Sequence, residues 1–248
     1  MDSQRNNKTA LFAPEPARDG RFSVKERWQD CENLKSDDPR NLLEFLHRQM
    51  NEEIDGMECA AQNLADFPDA PWELRMQIAR QVSDESRHVE MFRKLFEERG
   101  GTIGEYSVLN FQFRIISVLK SLEGRLAVQN RMFETEGIDA IEPEIAAALE
   151  KGDTALAELF DAQLADEITH VRYANEYLRQ VVRDSPRTVM SIGRDMNQAS
   201  IAFLEVMGQE SIDAVTYGVN EAGRLQAGFT PEEILQAIAG KKTVSDSK

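Results

Sequence analysis

Beyond Pro39, apolar residues return every third or fourth position, the spacing of helices that each bury one face. Leu42, Leu43, Leu46, Met50, Met57, Ala60, Ala61 and Leu64 predict a first long helix, stopped by the proline-rich turn 67–71. Ile78, Val82, Val89, Phe92 and Phe96 predict a second over about 72–99, closed by Gly100-Gly101. A third is expected over about 109–135, ended by Gly137, and a short one near 143–151. Asp153 is a suitable cap for a fourth long helix over about 154–183. Pro186 opens another over about 187–207, and Gly208 stops it. Thr230-Pro231-Glu232-Glu233 then combines a cap, a first-turn proline and a capping-box acid, and Gly240 is expected to end that last short helix.

The class this predicts is all-α. Residues 41–183 form an antiparallel four-helix bundle, ~30–45 Å long at the rise of an α-helix. Residues 1–40, polar and interrupted by Pro14, Pro16 and Pro39, read as an N-terminal arm with a short helix around 24–34. Residues 184–240 read as additional C-terminal helices packed on the bundle, and 241–248 as a disordered tail.

One short pattern occurs twice. Asp84-Glu85-Ser86-Arg87-His88 lies on the second helix and Asp166-Glu167-Ile168-Thr169-His170 on the fourth, and the similarity extends through the residues just after each copy. Glu and His three apart share a helix face, so each copy can offer a carboxylate and an imidazole to one metal ion. Of the three histidines in the chain, these motifs take two; His47 stands outside them and reads as a surface residue. On the first helix Glu53 continues the apolar stripe Leu46, Met50, Met57, and on the third Glu123 continues Ile116, Leu119, Leu126. Four carboxylates in one core repel one another unless cations join them, and two divalent ions would cancel their charge.

Glu53, Glu85, His88, Glu123, Glu167 and His170 are therefore the expected metal ligands, with Fe or Mn suited to an N/O donor set. Asp84 and Asp166 are candidates to hold the second nitrogen of a ligand histidine. Arg87 has no counterpart in the second copy, where Thr169 stands. Glu134, eleven residues past Glu123 on the same stripe, reads either as a substrate-channel residue or as an ordinary ion-paired acid. Tyr173 and Tyr177 read either as redox-active or as core residues, and Gly56 and Gly124 either as room for substrate or as close helix packing.

Bulk properties narrow the partners. Of the 248 residues, 41% are hydrophobic and 29% charged, the balance of an ordinary globular protein. No apolar run approaches membrane length, and the N-terminus has no apolar core of signal-peptide length. Two cysteines cannot build a disulfide framework or a four-cysteine metal centre, so the expected location is cytoplasmic. A formal charge of −15 disfavours a broad nucleic-acid footprint.

The stretch Asp84-Glu85-x-Arg87-His88 resembles the Asp-Glu-x-Arg-His signature of oxygen-activating members of the ferritin-like di-iron carboxylate superfamily, over about residues 41–183. Together with Phe67-Pro-Asp-Ala-Pro-Trp-Glu-Leu-Arg75 it is similar, more narrowly, to an uncharacterised bacterial ferritin-like family distantly akin to tRNA-modifying di-iron hydroxylases. The resemblance implies a ferritin-like bundle binding two iron ions through the six residues named, with dioxygen as co-substrate. It implies an oxygenase that hydroxylates a carbon or oxygenates an amine nitrogen of a small molecule, with electrons from a separate reductase or other donor. A tRNA-modifying hydroxylase and a ferroxidase or manganese catalase-type protein are the competing readings. A homodimer is the default assembly.

Overall fold

The structure is a computed structural model and describes residues 18–209, 211 and 217–246. It is predominantly helical. The long elements are α1 (Asn41–Asp66), α2 (Trp72–Glu98), α5 (Thr135–Glu150), α6 (Thr154–Asp184) and α7 (Thr188–Met207). Short elements are α3 (Phe111–Ser117), α4 (Leu122–Val128), a π-helical segment (Gln129–Glu134), α8 (Glu221–Gln226) and α9 (Pro231–Asp246). No helix among the described residues is long and apolar enough to cross a membrane.

Local chemistry sets most of the ends. At the C-terminus of α1, Arg75 reaches back to donate to the Leu64 carbonyl (3.0 Å), which the helix leaves unpaired, and to the Phe67 carbonyl (2.8 Å), which also accepts from the Ala70 amide. At the end of α2, Gly100 adopts φ +88° while the Gly101 amide bonds Phe96 and the Gly100 amide bonds Glu97, the paired closure that favours glycine. The Asp153 side chain accepts from the Leu156 amide at 3.2 Å and caps α6 as expected.

The third rod departs from the single helix expected over 109–135. It breaks after Ser117 and restarts where the Ser121 hydroxyl accepts from the Gly124 amide at 3.0 Å. The buried Arg125 guanidinium repairs the break, donating to the Leu119 and Ser117 carbonyls at 3.0 and 3.1 Å. The rod then widens into the π segment and runs unbroken through Gly137 and Pro143 to Glu150. The helix expected at 143–151 is thus the end of the same rod.

α1 lies along α2, α5 along α6, and α2 meets α6, while α4 and the π segment also lean on α6. Two apolar clusters form at different levels of these rods. One holds Leu46, Met50, Phe92, Phe96 and Phe160; the other holds Ala60, Ile78, Leu126, Tyr173 and Ala174. Between them in sequence on each rod come the acids and histidines, so the polar layer is sealed on both sides. A third cluster joins α7 to α3 and α4, where a side chain on Gly124 would collide with Asp195 at 2.1 Å; close packing accounts for that glycine. α8 and α9 cover α5 and α6 through Ala227, Phe229 and Ile234 against Ile138, Ile168 and Val171.

Three expectations at the periphery fail. Residues 24–34 hold one 3-10 turn, Trp28–Asp30, preceded by β1 (Ser23–Lys25), which pairs in parallel with β2 (Ser107–Leu109). α9 passes through Gly240 to Asp246, held by Lys241 Nζ on Asp139 (2.8 Å) and on the Gly218 carbonyl (3.2 Å). The part of the arm over 1–17 and the tail over 247–248 lie outside the described residues. His47 is fully buried, its Nε2 accepting from the Gly104 amide at 2.9 Å amid the rings of Phe22, Phe96 and Tyr106. Burial depresses its pKa to about 4, so it is a neutral core residue.

Candidate metal centre

Helical register turns Glu53 from α1, Glu85 and His88 from α2, and Glu167 and His170 from α6 into one buried layer, and the π segment adds Glu134. Donor atoms of Glu53, Glu85, His88 and Glu167 lie within 4.8 Å of one another, as do those of Glu85, Glu134, Glu167 and His170. Glu85 and Glu167 belong to both groups. The geometry is that of two adjacent positions sharing two carboxylates, each with one further acid and one imidazole of its own.

Glu123 belongs to neither group, which corrects the expected ligand set. It lies half-buried in the first turn of α4, where its charge helps burial to raise the pKa of Tyr177. The reason is level. Asp69, in the turn between α1 and α2, is midway in sequence between Glu53 and Glu85; Gly152, in the turn between α5 and α6, is midway between Glu134 and His170. Residues equidistant from a hairpin turn face each other, and Glu123 is eleven residues too far from it, roughly 16 Å of helix. Glu134, read as a channel residue or a paired acid, is the carboxylate at the right height.

Both imidazoles turn Nδ1 inward. His88 Nδ1 is 3.2 Å from Glu53 and Glu85 and 3.8 Å from Glu167. His170 Nδ1 is 3.4 Å from Glu85, 3.5 Å from Glu167 and 3.9 Å from Glu134. Each Nε2 faces an aspartate as expected, but the pairing crosses the motifs: Asp166 meets His88 at 3.1 Å and Asp84 meets His170 at 3.3 Å. Arg87 contacts Asp166 and lies 3.9 Å from Asp84, joining the two crossed pairs on one edge.

The electrostatics call for cations. Burial pushes the pKa values of Glu53, Glu134 and Glu167 upward, and neighbouring carboxylates add to this. Burial opposes charge on the imidazoles, yet the surrounding carboxylates outweigh it, lifting His88 to about 12 and His170 well above its ordinary range. Burial also opposes charge on Glu85, but His170 and His88 hold it below its usual value. Without metal, protons on the imidazoles would offset the acids. A neutral His170 that gives its Nε2–H to Asp84 aims a lone pair at carboxylates, which is unfavourable unless a cation stands between. His170 Nδ1 and Glu167 Oε2 are indeed buried with no hydrogen-bond partner among the described residues. The site therefore fits a pair of metal ions, and its all-N/O donor set favours hard or borderline ones.

Three amides escaped the sequence reading. Gln81 and Gln163 stand four residues before Glu85 and Glu167, so the repeat is Gln-x-x-Asp-Glu-x-x-His in both copies. A polar residue one turn from a ligand, on a buried stripe, was the signal that could have found them. Gln81 Nε2 donates to Glu85 at 3.0 Å and to Glu134, while its Oε1 accepts from Asn130 at 3.0 Å and from the Tyr173 hydroxyl. Gln163 Nε2 donates to Glu53 at 2.7 Å. Tyr173 is thus buried and linked to the ligands through Gln81, whereas Tyr177 packs half-buried in the cluster of Ile78 and Leu126.

A cavity of about 820 Å³ adjoins this layer. Glu53, Glu85, Glu134 and Glu167 form part of its wall, with Gly56 beside them, so it reaches the ligand carboxylates.

Residues 2–235 match the model of a family described as "Protein of unknown function (DUF455)", and the chain belongs to that family. No curated protein and no solved structure matches the chain significantly.

Proposed function

We propose that this member of the family is a di-iron oxygenase of the ferritin-like superfamily. In this reading α1, α2, the rod from α4 through α5, and α6 are the antiparallel four-helix bundle, in a cytoplasmic protein. The observation that carries it is the pair of four-donor groups sharing Glu85 and Glu167 on the wall of a cavity large enough for a small molecule.

Glu53 and His88 would complete one metal position, and Glu134 and His170 the other. Asp166 and Asp84 fix the imidazole tautomers by accepting from Nε2, which leaves Nδ1 free to ligate. Gln81 and Gln163 orient the carboxylates through their amide N–H groups. The apolar clusters on either side exclude water from the layer. When bound, a pair of iron ions supplies the reductive activation of dioxygen. In overall balance one oxygen atom enters a C–H bond or an amine nitrogen of the substrate and the other leaves as water. Two electrons and two protons come from a separate donor, such as a reductase protein.

Anaerobic iron loading of the full chain tests this. The expected result is two irons per chain, followed by oxygen uptake and transfer of labelled oxygen into an organic product when a reductant is supplied. Folded chain that takes up no iron defeats the metal assignment. Iron uptake with mineral growth or peroxide disproportionation alone would turn the assignment to ferroxidase or catalase.

A further inference from the structure

The two repeats treat one matched atom differently. Gln81 Oε1 is satisfied by Asn130 and Tyr173. Gln163, 5% exposed and lining the cavity, has an Oε1 with no hydrogen-bond partner among the described residues. Its orientation is forced, because the amide nitrogen must face the Glu53 carboxylate at 2.7 Å. The residues that correspond in register to the two donors explain the gap. Asn130 is four before Glu134, and four before Glu53 stands Gln49, whose amide donates to Glu52 at 3.0 Å instead. Tyr173 is six past Glu167, and six past Glu85 stands Met91, which has nothing to donate. A buried acceptor left unpaired is unfavourable, and a small turn of the Gln163 amide toward the cavity would let a donor from outside the chain satisfy it.

The rest of the wall selects the donor's charge. Its two cations are already matched: Arg48 by Glu44 and Glu52, both at 3.2 Å, and Lys241 by Asp139 and Glu136 at 2.8 and 3.3 Å. Glu144 lines the same cavity with no ion-pair partner among the described residues. No cation is left to receive a carboxylate or phosphate. Phe45, Phe111, Phe133, Phe160 and Phe203 supply apolar wall.

We propose that the cavity binds an apolar amine, its N–H donating to Gln163 Oε1 beside the ligand carboxylates and its hydrocarbon body resting on the phenylalanines. This rests on the oxygenase reading and narrows its substrate class, disfavouring fatty acids, nucleotides and RNA.

The test compares octylamine, octanol and octanoate, equal in apolar length, by calorimetry on full-length protein whose metal content has been assayed. Octylamine should bind tightest, and octanoate at least about ten-fold more weakly. Gln163→Met should weaken octylamine about ten-fold, the weight of one buried hydrogen bond. Ala140→Trp, which fills the cavity, should abolish octylamine binding. Octanoate binding as well as octylamine, no binding of any probe, or an Ala140→Trp chain that binds normally overturns the proposal. So does unchanged octylamine affinity in Gln163→Met; if that variant loses metal, the native ranking and Ala140→Trp decide. A chain holding two metals but preferring octanoate loses only the amine assignment. One that holds none yet prefers octylamine loses the oxygenase reading and keeps the binding site.

Discussion

The hairpin of α1 and α2 and the hairpin of the third rod and α6 bring the same residue types to one level at similar distances from their turns, yet they are built differently. The first uses two uninterrupted helices. The second reaches the same geometry through a broken rod whose π segment delivers Glu134. A π turn accommodates an extra residue and so rotates the helix beyond it, a device found at functional sites. The comparison separates what a shared acid–histidine layer demands, which both halves supply, from what each half adds. The first adds His47 and Arg87; the second adds Tyr173 and Asn130, which close the Gln81 acceptor of the first, while its own Gln163 acceptor stays open.

The strongest way to break the comparison is to remove ligands by class. Glu85→Ala or Glu167→Ala should lose both metals, because each residue belongs to both groups. Glu53→Ala and Glu134→Ala should each lose one, and Glu123→Gln none. Metal content of purified, folded protein decides this. Loss of metal in Glu123→Gln with retention in Glu134→Ala would invert the ligand assignment. Saturating metal should also stabilise the native chain by about 2.7 kcal/mol per site at a hundred-fold excess over Kd, read as a rise in Tm.

Next comes the crossing of aspartates. Asp166→Ala should weaken the position of Glu53 and His88 about 10- to 100-fold, and Asp84→Ala the position of Glu134 and His170. Combining Asp166→Ala with Glu53→Ala should then leave one metal, while combining it with Glu134→Ala should compromise both. The reverse pattern would mean that each aspartate serves the histidine of its own motif.

Much of this layer was legible because its signals are local. Prolines, glycines and Asp153 fixed the ends of α1, α2 and α6, and the two Asp-Glu-x-x-His repeats together with Glu53 on its apolar stripe marked five of the six cluster residues. The sixth failed where a local rule met a nonlocal one. Glu123 and Glu134 lie on one helical stripe, so periodicity could not rank them; only distance from the Gly152 turn does. Reading Gly137 as a helix end hid that the rod runs on to Glu150, and with it the ruler. The β1–β2 pairing joins three-residue segments far apart in sequence, which no short-range pattern encodes. His47 was misplaced because its partner, the Gly104 amide, comes from a loop that the sequence does not position.

His47 sharpens the comparison more modestly. Its register counterpart in the second half, six before Glu134, is Val128, which is also buried. Because burial lowers the folded pKa from 6.5 to about 4, the unfolded chain takes up the proton first as pH falls. The native state therefore keeps its full contribution from this residue above about pH 6.5 and loses on the order of 2 kcal/mol as pH drops toward 4. Denaturant unfolding of metal-free native and His47→Leu chains across that range isolates the effect. The variant should be less stable at neutral pH, having lost a packed ring and a hydrogen bond, and its stability should fall less steeply with acid. Parallel curves would mean that His47 does not titrate between those limits.

The smallest effect belongs to Arg87, the one charged difference between the motifs. It is 47% exposed, so its ion pairs with Asp166 and Asp84 are screened and contribute at most about 1 kcal/mol. Its position still matters, because it contacts Asp166 and lies 3.9 Å from Asp84, between the aspartates of the two proposed metal positions. Arg87→Thr, which makes the first motif match Thr169 of the second, should leave two metals per chain and lower their affinity only a few-fold. The informative readout is cooperativity between the two binding steps. If Arg87 joins the crossed pairs into one network, the native chain fills both positions together and the variant fills them independently. Identical titration curves would reduce Arg87 to a surface charge with no part in joining the two crossed pairs.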